Sequence, residues 1–268
     1  MKRLFWLLVL GLAHGTAFAL TLAVVPQFTP VDINRRWTPL IERLSADTGL
    51  PIELRTYKRI PDFEKDMLAG QPDLVYLNPY HMVMAHKAQS YIPLVRGEEM
   101  LAGVLVVKRD GPIKSIQQLN GQTLAFPAPN AFGASLYMRA LLTRKFKVAY
   151  KSNYVGTHQN VLRQVAMGEA AAGGAVMLTY QREPEGLRNQ LTVLYETPKA
   201  APHPLAIHPR VAAADRLKLK NALLRLAKDP AGAALLKEAG LSQAIAADYD
   251  SDYAQLDELG LETFVELE

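Results

Sequence analysis

The sequence predicts an α/β protein with largely parallel sheets, and three observations carry that prediction. Short β-rich runs alternate with segments whose apolar residues recur at helical spacing. A complete strand-loop-helix unit is legible between Leu20 and Gly49. Hydrophobic residues make up 49% of the chain, enough to build cores in one large domain or in two of roughly 100 to 150 residues each. That composition argues against disorder.

Leu20 to Val25 forms the first strand. After Pro26 and Pro30, the set Ile33, Trp37, Leu40, Ile41 and Leu44 marks one face of a helix, which Gly49 ends. Pro51 to Leu54 gives a second strand, Pro61 to Ala69 a short helix, and Leu74 to Leu77 a buried third strand running into a loop at Asn78, Pro79 and Tyr80. Parallel sheets place ligand contacts in such loops. Leu101 to Val107 is nearly continuous Leu and Val, long enough to leave one sheet and enter another, with a domain change expected after it. Ser115 and Gln118 have capping-box spacing and predict a helix start. Then follow strand Thr123 to Phe126, helix Ala131 to Leu142, strand Val148 to Tyr154, helix His158 to Met167, and strands Ala171 to Val176 and Leu191 to Leu194. Thr197 to Pro209 carries four prolines and reads as a stiff return connection with a short strand at Leu205 to Ile207. The remainder is helical, without repeats.

The N-terminus carries a different signal. Lys2 and Arg3 precede the apolar run Phe5 to Leu12, which ends in Ala17-Phe18-Ala19, the pattern of a secretory signal peptide cleaved after Ala19. With no Cys anywhere in the sequence there is no thiol for a lipid anchor and no disulfide, so a free protein retained in a periplasm is expected. Cleavage removes two of the 30 basic residues and none of the 26 acidic ones, leaving a nearly neutral chain. Its charges are interspersed apart from knots such as Arg35-Arg36, which does not suggest a nucleic-acid groove.

Several segments, taken in order, resemble one family. They are "LAVVPQ", the "WTPLIERL" helix ending in "TGLPIEL", "QPDLVYLNPYHMVMAHK", and "GVLVVKRDGPIKSIQQLNGQTLAFPAPNAFGASL". They continue with "VGTHQNVLRQVAMGEAAAGGAV", "APHPLAIHP", "KDPAGAALLKEAG" and "DYDSDYAQL". Across residues 20 to 265 the chain resembles the phosphate/phosphite/phosphonate-type (PhnD-like) substrate-binding proteins of ABC transporters. The resemblance implies a type II periplasmic-binding-protein fold, with two lobes of mainly parallel sheet, two hinge crossings and a ligand between them. Lobe one is then 20–106 plus 204–268 and lobe two 107–203. It also implies a permease and its ATPase as partners, a monomer, and no cofactor or metal. A periplasmic sensor working with a membrane histidine kinase is the alternative, since the same lobes serve both.

Candidate ligand contacts follow. Pro127 to Ser135 lies between a strand and a helix, so the backbone N–H groups of Asn130, Ala131, Phe132 and Gly133 are expected at a helix N-terminus, a natural anion site. In the family's phosphonate binders a Ser-Thr-Ser-Gly run stands here; this chain keeps the backbone and loses the hydroxyls. A plainer reading has Asn130 cap the helix and Phe132 pack in the core. Thr157 and His158 match the family's glycine-x-histidine step before a helix, where the ring donates to an oxyanion. Tyr80 and His203 are expected as flanking contacts. His203 stands where aminophosphonate binders hold an acid, and Ala170 to Val176 offers only Ala, Gly and Val, so 2-aminoethylphosphonate lacks a counter-charge.

Enzyme motifs are missing. There is no Cys nucleophile, no G-x-S-x-G, P-loop or G-x-G-x-x-G, and no H-E-x-x-H; His81 and His86 fall on different faces of a helix. Gly173-Gly174 reads as close backbone approach beside a strand.

Overall fold

A computed structural model describes residues 19–267. Apart from Ala19, the expected signal peptide lies outside the described residues. Among these, no helix is long and apolar enough to cross a membrane, and no group of three or more metal-ligating side chains converges.

The first lobe opens with β1 (Leu20–Val24) and α1 (Pro30–Thr48). Thr29 caps α1 by accepting from the Asp32 N–H at 3.2 Å, Pro30 occupies its first turn, and Gly49 ends it at φ 67°. Ile33, Trp37, Leu40, Ile41 and Leu44 are all buried along its inner face, a stripe contributing roughly 1.5–3 kcal/mol per large side chain. β2 (Ile52–Arg55), α2 (Ile60–Leu68) and β3 (Leu74–Tyr76) follow. The expected loop after β3 is instead the start of α3 (Pro79–Gln89): the Asn78 side chain accepts from the His81 N–H at 2.8 Å, and Pro79 sits where a missing N–H costs nothing. β4 (Ile92–Arg96) is a strand that periodicity did not predict.

The second lobe contains β5 (Gly103–Lys108), a 3₁₀ turn (Ile116–Leu119), β6 (Thr123–Phe126), a helical segment over 132–145 centred on α4 (Tyr137–Ala140), and β7 (Lys151–Tyr154). It continues with α5 (His158–Met167), β8 (Ala172–Val176), α6 (Met177–Arg182), α7 (Glu185–Arg188) and β9 (Leu191–Glu196). The Ser115 N–H does donate to Gln118 Oε1 at 2.9 Å, but the turn it starts stops at Leu119. The chain returns through β10 (Pro204–Ile207), α8 (Ala213–Leu226), α9 (Pro230–Glu238), β11 (Ile245–Ala246) and α10 (Tyr249–Asp252).

Each lobe holds one sheet, in the orders β11-β4-β10-β3-β1-β2 and β7-β6-β8-β5-β9. The α/β class stands, but the sheets are mixed. β1 pairs parallel with β2 and β3, and β6 with β7 and β8, whereas β10, β4 and β11, and likewise β5 and β9, pair antiparallel. Strands joined by a crossover helix run parallel; β5, β9 and β10 adjoin the inter-lobe crossings, and each pairs antiparallel with its neighbours. The boundary expected after Val106 accordingly falls earlier, because all of β5 belongs to the second sheet. The crossings span 97–102 and 197–203, and are bonded to each other by Leu101 N–H to Ala200 O at 2.8 Å and its reciprocal at 2.9 Å.

One core fills the first lobe, and two smaller ones cover the faces of the second sheet, with Val161, Leu162 and Val165 of α5 on one side and Met138 and Leu142 on the other. The helical segment 132–145 serves both lobes. Phe132, Leu136, Tyr137 and Ala140 join the first lobe's core, while Gly103 and Gly174 let the segment's backbone lie directly on the second sheet, where a Cβ on Gly174 would strike the Ala134 carbonyl. Its outer face is strapped by the C-terminal segment. Arg139 donates to Phe264 O at 2.6 Å and pairs with Glu266 at 2.8 Å, and Arg144 donates to Leu259 O at 2.7 Å.

A buried polar cluster ties the lobes together. Glu64 and His81, each 1% exposed in the side chain, meet at 2.6 Å. Glu64 also accepts from Asn130 Nδ2 at 2.9 Å, and Asn78 Nδ2 donates to the Asn130 carbonyl at 2.9 Å. Glu64→Ala strands His81 in the buried cluster and takes one of Asn130's partners, and is expected to remove about 3–5 kcal/mol of unfolding free energy, measured by urea denaturation. Gly174→Ala is expected to destabilise far more than Gly133→Ala in the same assay. At Gly174 the new methyl meets rigid backbone, whereas at Gly133 its nearest neighbour is the movable Leu101 Cδ2, 2.8 Å away.

Candidate functional site

Between the lobes lies a small inner cavity of about 30 Å3, walled by Pro26, Gln27, Asn78, Ala131, Phe132, Gly133, Ala134, Gly156, His158 and His203 among others. Each wall comes from the end of an element. Gln27 follows β1; residues 131–134 start the helical segment after β6, where first-turn N–H groups have no intrahelical acceptor; His158 opens α5 after β7. The loops after β6 and β7 are stitched together by Val155 N–H to Phe126 O and Gly156 N–H to Pro127 O, both 2.9 Å. This brings the first turn of the helical segment beside His158. The turn is π-helical, with the Leu136 N–H reaching back to Ala131 O at 3.1 Å, which widens the backbone at the cavity wall.

The predicted residues divide clearly. Ala131, Phe132, Gly133, His158 and His203 come together around this cavity. Thr157 lines only the larger cavity outside it, and its hydroxyl oxygen accepts from the Asn160 N–H at 3.1 Å as the cap of α5. Asn130 is on neither wall. Its amide is spent on Glu64 and on the backbone of Glu266, donating to the carbonyl at 2.8 Å and accepting from the N–H at 3.0 Å. Its side chain is therefore a structural tie between lobes and not a helix cap. Tyr80 is also away from both cavities. It is buried in the first lobe's core, and burial followed by the nearby Glu262 carboxylate pushes its hydroxyl up to about 12. Sequence reasoning missed Gln27, which lines both cavities and places Nε2 2.9 Å from His203 Nε2. Its only signal was its place just past the first strand.

No lining side chain of the inner cavity carries a formal charge in its ordinary neutral-pH state. His203 is stacked on Tyr76 at 5.6 Å, and burial, with the neighbouring His81 and His158, takes its pKa down to about 3. Burial likewise lowers His158 to about 4, and its Nδ1 is buried without a partner. Both rings are thus neutral donor-acceptors at neutral pH, and one ring nitrogen is uncommitted. Such a wall of oriented dipoles and ring N–H groups suits an anion and holds no carboxylate to balance a cation.

The family model described as "ABC transporter, phosphonate, periplasmic substrate-binding protein" matches residues 22–253. The chain belongs to this family. Its members are periplasmic binding components of ABC transporters and not enzymes. The chain is 23% identical over 189 residues to the phosphate-import protein PhnD of Mycolicibacterium smegmatis, a match covering 61% of this chain and only 56% of that protein. PhnD1 from Prochlorococcus marinus, solved with methylphosphonate, is 16% identical, with a TM-score of 0.80 over 91% of this chain and 98% of that one. XAC2383 from Xanthomonas citri, solved with chloride, is 19% identical, with a TM-score of 0.79 over 92% and 98%. At these identities the structures establish the shared two-lobe fold.

The histidines also set a pH dependence. An imidazole whose folded pKa lies below its unfolded value near 6.5 leaves the unfolded chain binding more protons in between, so stability is full above pH 6.5 and falls as pH drops toward 4. The melting temperature is expected to decline across that window, and the double variant His158→Gln/His203→Gln to flatten the decline in a pH series of thermal melts.

Proposed function

We propose that this chain captures a small phosphorus oxyanion in the inner cavity and delivers it to an ABC permease and its ATPase. The observation that carries this reading is the cavity wall: the first turn of a helical segment, two neutral histidines and Gln27 converge there without a single carboxylate. First-turn N–H groups and the helix dipole favour negative charge, and the uncommitted His158 nitrogen adds a side-chain donor. The small volume favours a compact head group. The methylphosphonate bound by PhnD1 supports the class of ligand. An ammonium group in this cavity meets no counter-charge, so 2-aminoethylphosphonate is not preferred over methylphosphonate.

The lobes close over the ligand by bending at the paired crossings 97–102 and 197–203, as a ligand with higher affinity for the closed state requires. The working form is a monomer released to the periplasm by cleavage after Ala19, and N-terminal sequencing of the exported protein reads that site.

The test is a thermal-shift panel on the chain from Leu20, with phosphate, phosphite, methylphosphonate, 2-aminoethylphosphonate and sulfate. A phosphorus oxyanion at 100 times its Kd is expected to add about 2.7 kcal/mol of stability. His158→Ala is expected to weaken binding by about 1–3 kcal/mol in calorimetric titration. No shift with any phosphorus oxyanion sinks the proposal; unchanged affinity in His158→Ala removes that ring from the site.

A further inference from the structure

A second, much larger cavity of about 630 Å3 opens directly off the inner one and shares Val25, Gln27, Leu101, His158, Val176 and His203 with it. Before the lobes close, a bare oxyanion in the inner cavity occupies none of this space, whose size is that of a pocket for a whole organic ligand. Among its mixed walls it gathers large apolar side chains that are exposed. Phe28 of the first lobe, Met100 of the crossing and Leu178 of the second lobe are 49%, 44% and 40% exposed, and all three line it. Exposed apolar side chains converging on one concavity from three parts of a fold mark a surface that a ligand covers.

Arg36 adds a directional element. Its guanidinium lies over the Phe28 ring, 4.5 Å from the centroid, and its Nε is buried without an acceptor. An aromatic group placed here extends that stack. Net charge does not select the occupant, because four basic and four acidic side chains line the cavity, Arg36 and Asp32 among them.

We infer that the outer cavity is a substituent subsite, and that the ligand is an organophosphonate or phosphate monoester whose head group sits in the inner cavity and whose aromatic or bulky apolar substituent fills the outer one. This rests on the head-group reading given above.

Calorimetric titration of the chain from Leu20 with methylphosphonate and phenylphosphonate separates the two claims. Phenylphosphonate is expected to bind at least about tenfold tighter, the return on burying one aromatic ring. In the double variant Phe28→Ala/Leu178→Ala, whose side chains are exposed and outside the cores, the ratio of the two affinities is expected to fall toward unity. Binding of methylphosphonate with equal or weaker binding of phenylphosphonate overturns the substituent subsite and leaves the head-group reading intact. Tighter phenylphosphonate binding with an unaltered ratio in the variant overturns the assignment to these walls. Failure of both probes to bind overturns the substituent subsite, and with no shift from phosphate or phosphite it overturns the head-group reading as well.

Discussion

Backbone pressed against glycine is the constraint on which the site depends. Because Gly103 and Gly174 carry no side chain, residues 133 and 134 rest on the second sheet with nothing between, and the start of the helical segment is set by sheet geometry rather than by side-chain packing. The same segment turns Phe132, Leu136, Tyr137 and Ala140 into the first lobe's core. One element thus belongs to both lobes. Donors at its start hold their place relative to both Gln27 on one side and His158 on the other.

A second tie follows from this. The Asn130 side chain makes three hydrogen bonds to Glu64 and to the Glu266 backbone, so a residue immediately before the cavity wall is rigid without touching the cavity. Fixed donors are worth more to an anion than adaptable ones, since they need no reorganisation when it arrives. With no arginine, lysine or carboxylate in the inner wall, its polar groups are backbone, amide and imidazole alone. A hydroxyl-rich wall would add donors that rotate; this wall has donors that do not.

Much of the fold was legible. Strand β6 and helix α5 fall on the expected residues, and α1 carries the expected buried face with Gly49 at its end, because cap, period and stop agree within each segment. Strand β4 was not legible because Pro93 interrupts it; the sheet accommodates Pro93 beside an irregularity in the register with β10. The antiparallel half of each sheet was hidden because strand direction at a crossing depends on partners far away in sequence. The site divides similarly. His158 and the 131–133 turn were readable from local pattern. The tie made by the Asn130 side chain was hidden because the groups that consume its amide lie 66 and 136 residues away, and Gln27 was overlooked because a lone amide in a loop has no period.

The position of β10 has a consequence for how the chain is made. It sits between β3 and β4 in the first sheet, although the whole second lobe separates it from them in sequence. The first sheet therefore lacks its inner strand β10 until residue 207 has been synthesised and its edge strand β11 until residue 246, whereas the strands of the second sheet all lie within 103–196. Sheet closure waits on contacts of long sequence separation, which are slow to form. A chain that folds late stays threadable for longer, and threadability is what passage through a narrow export channel demands.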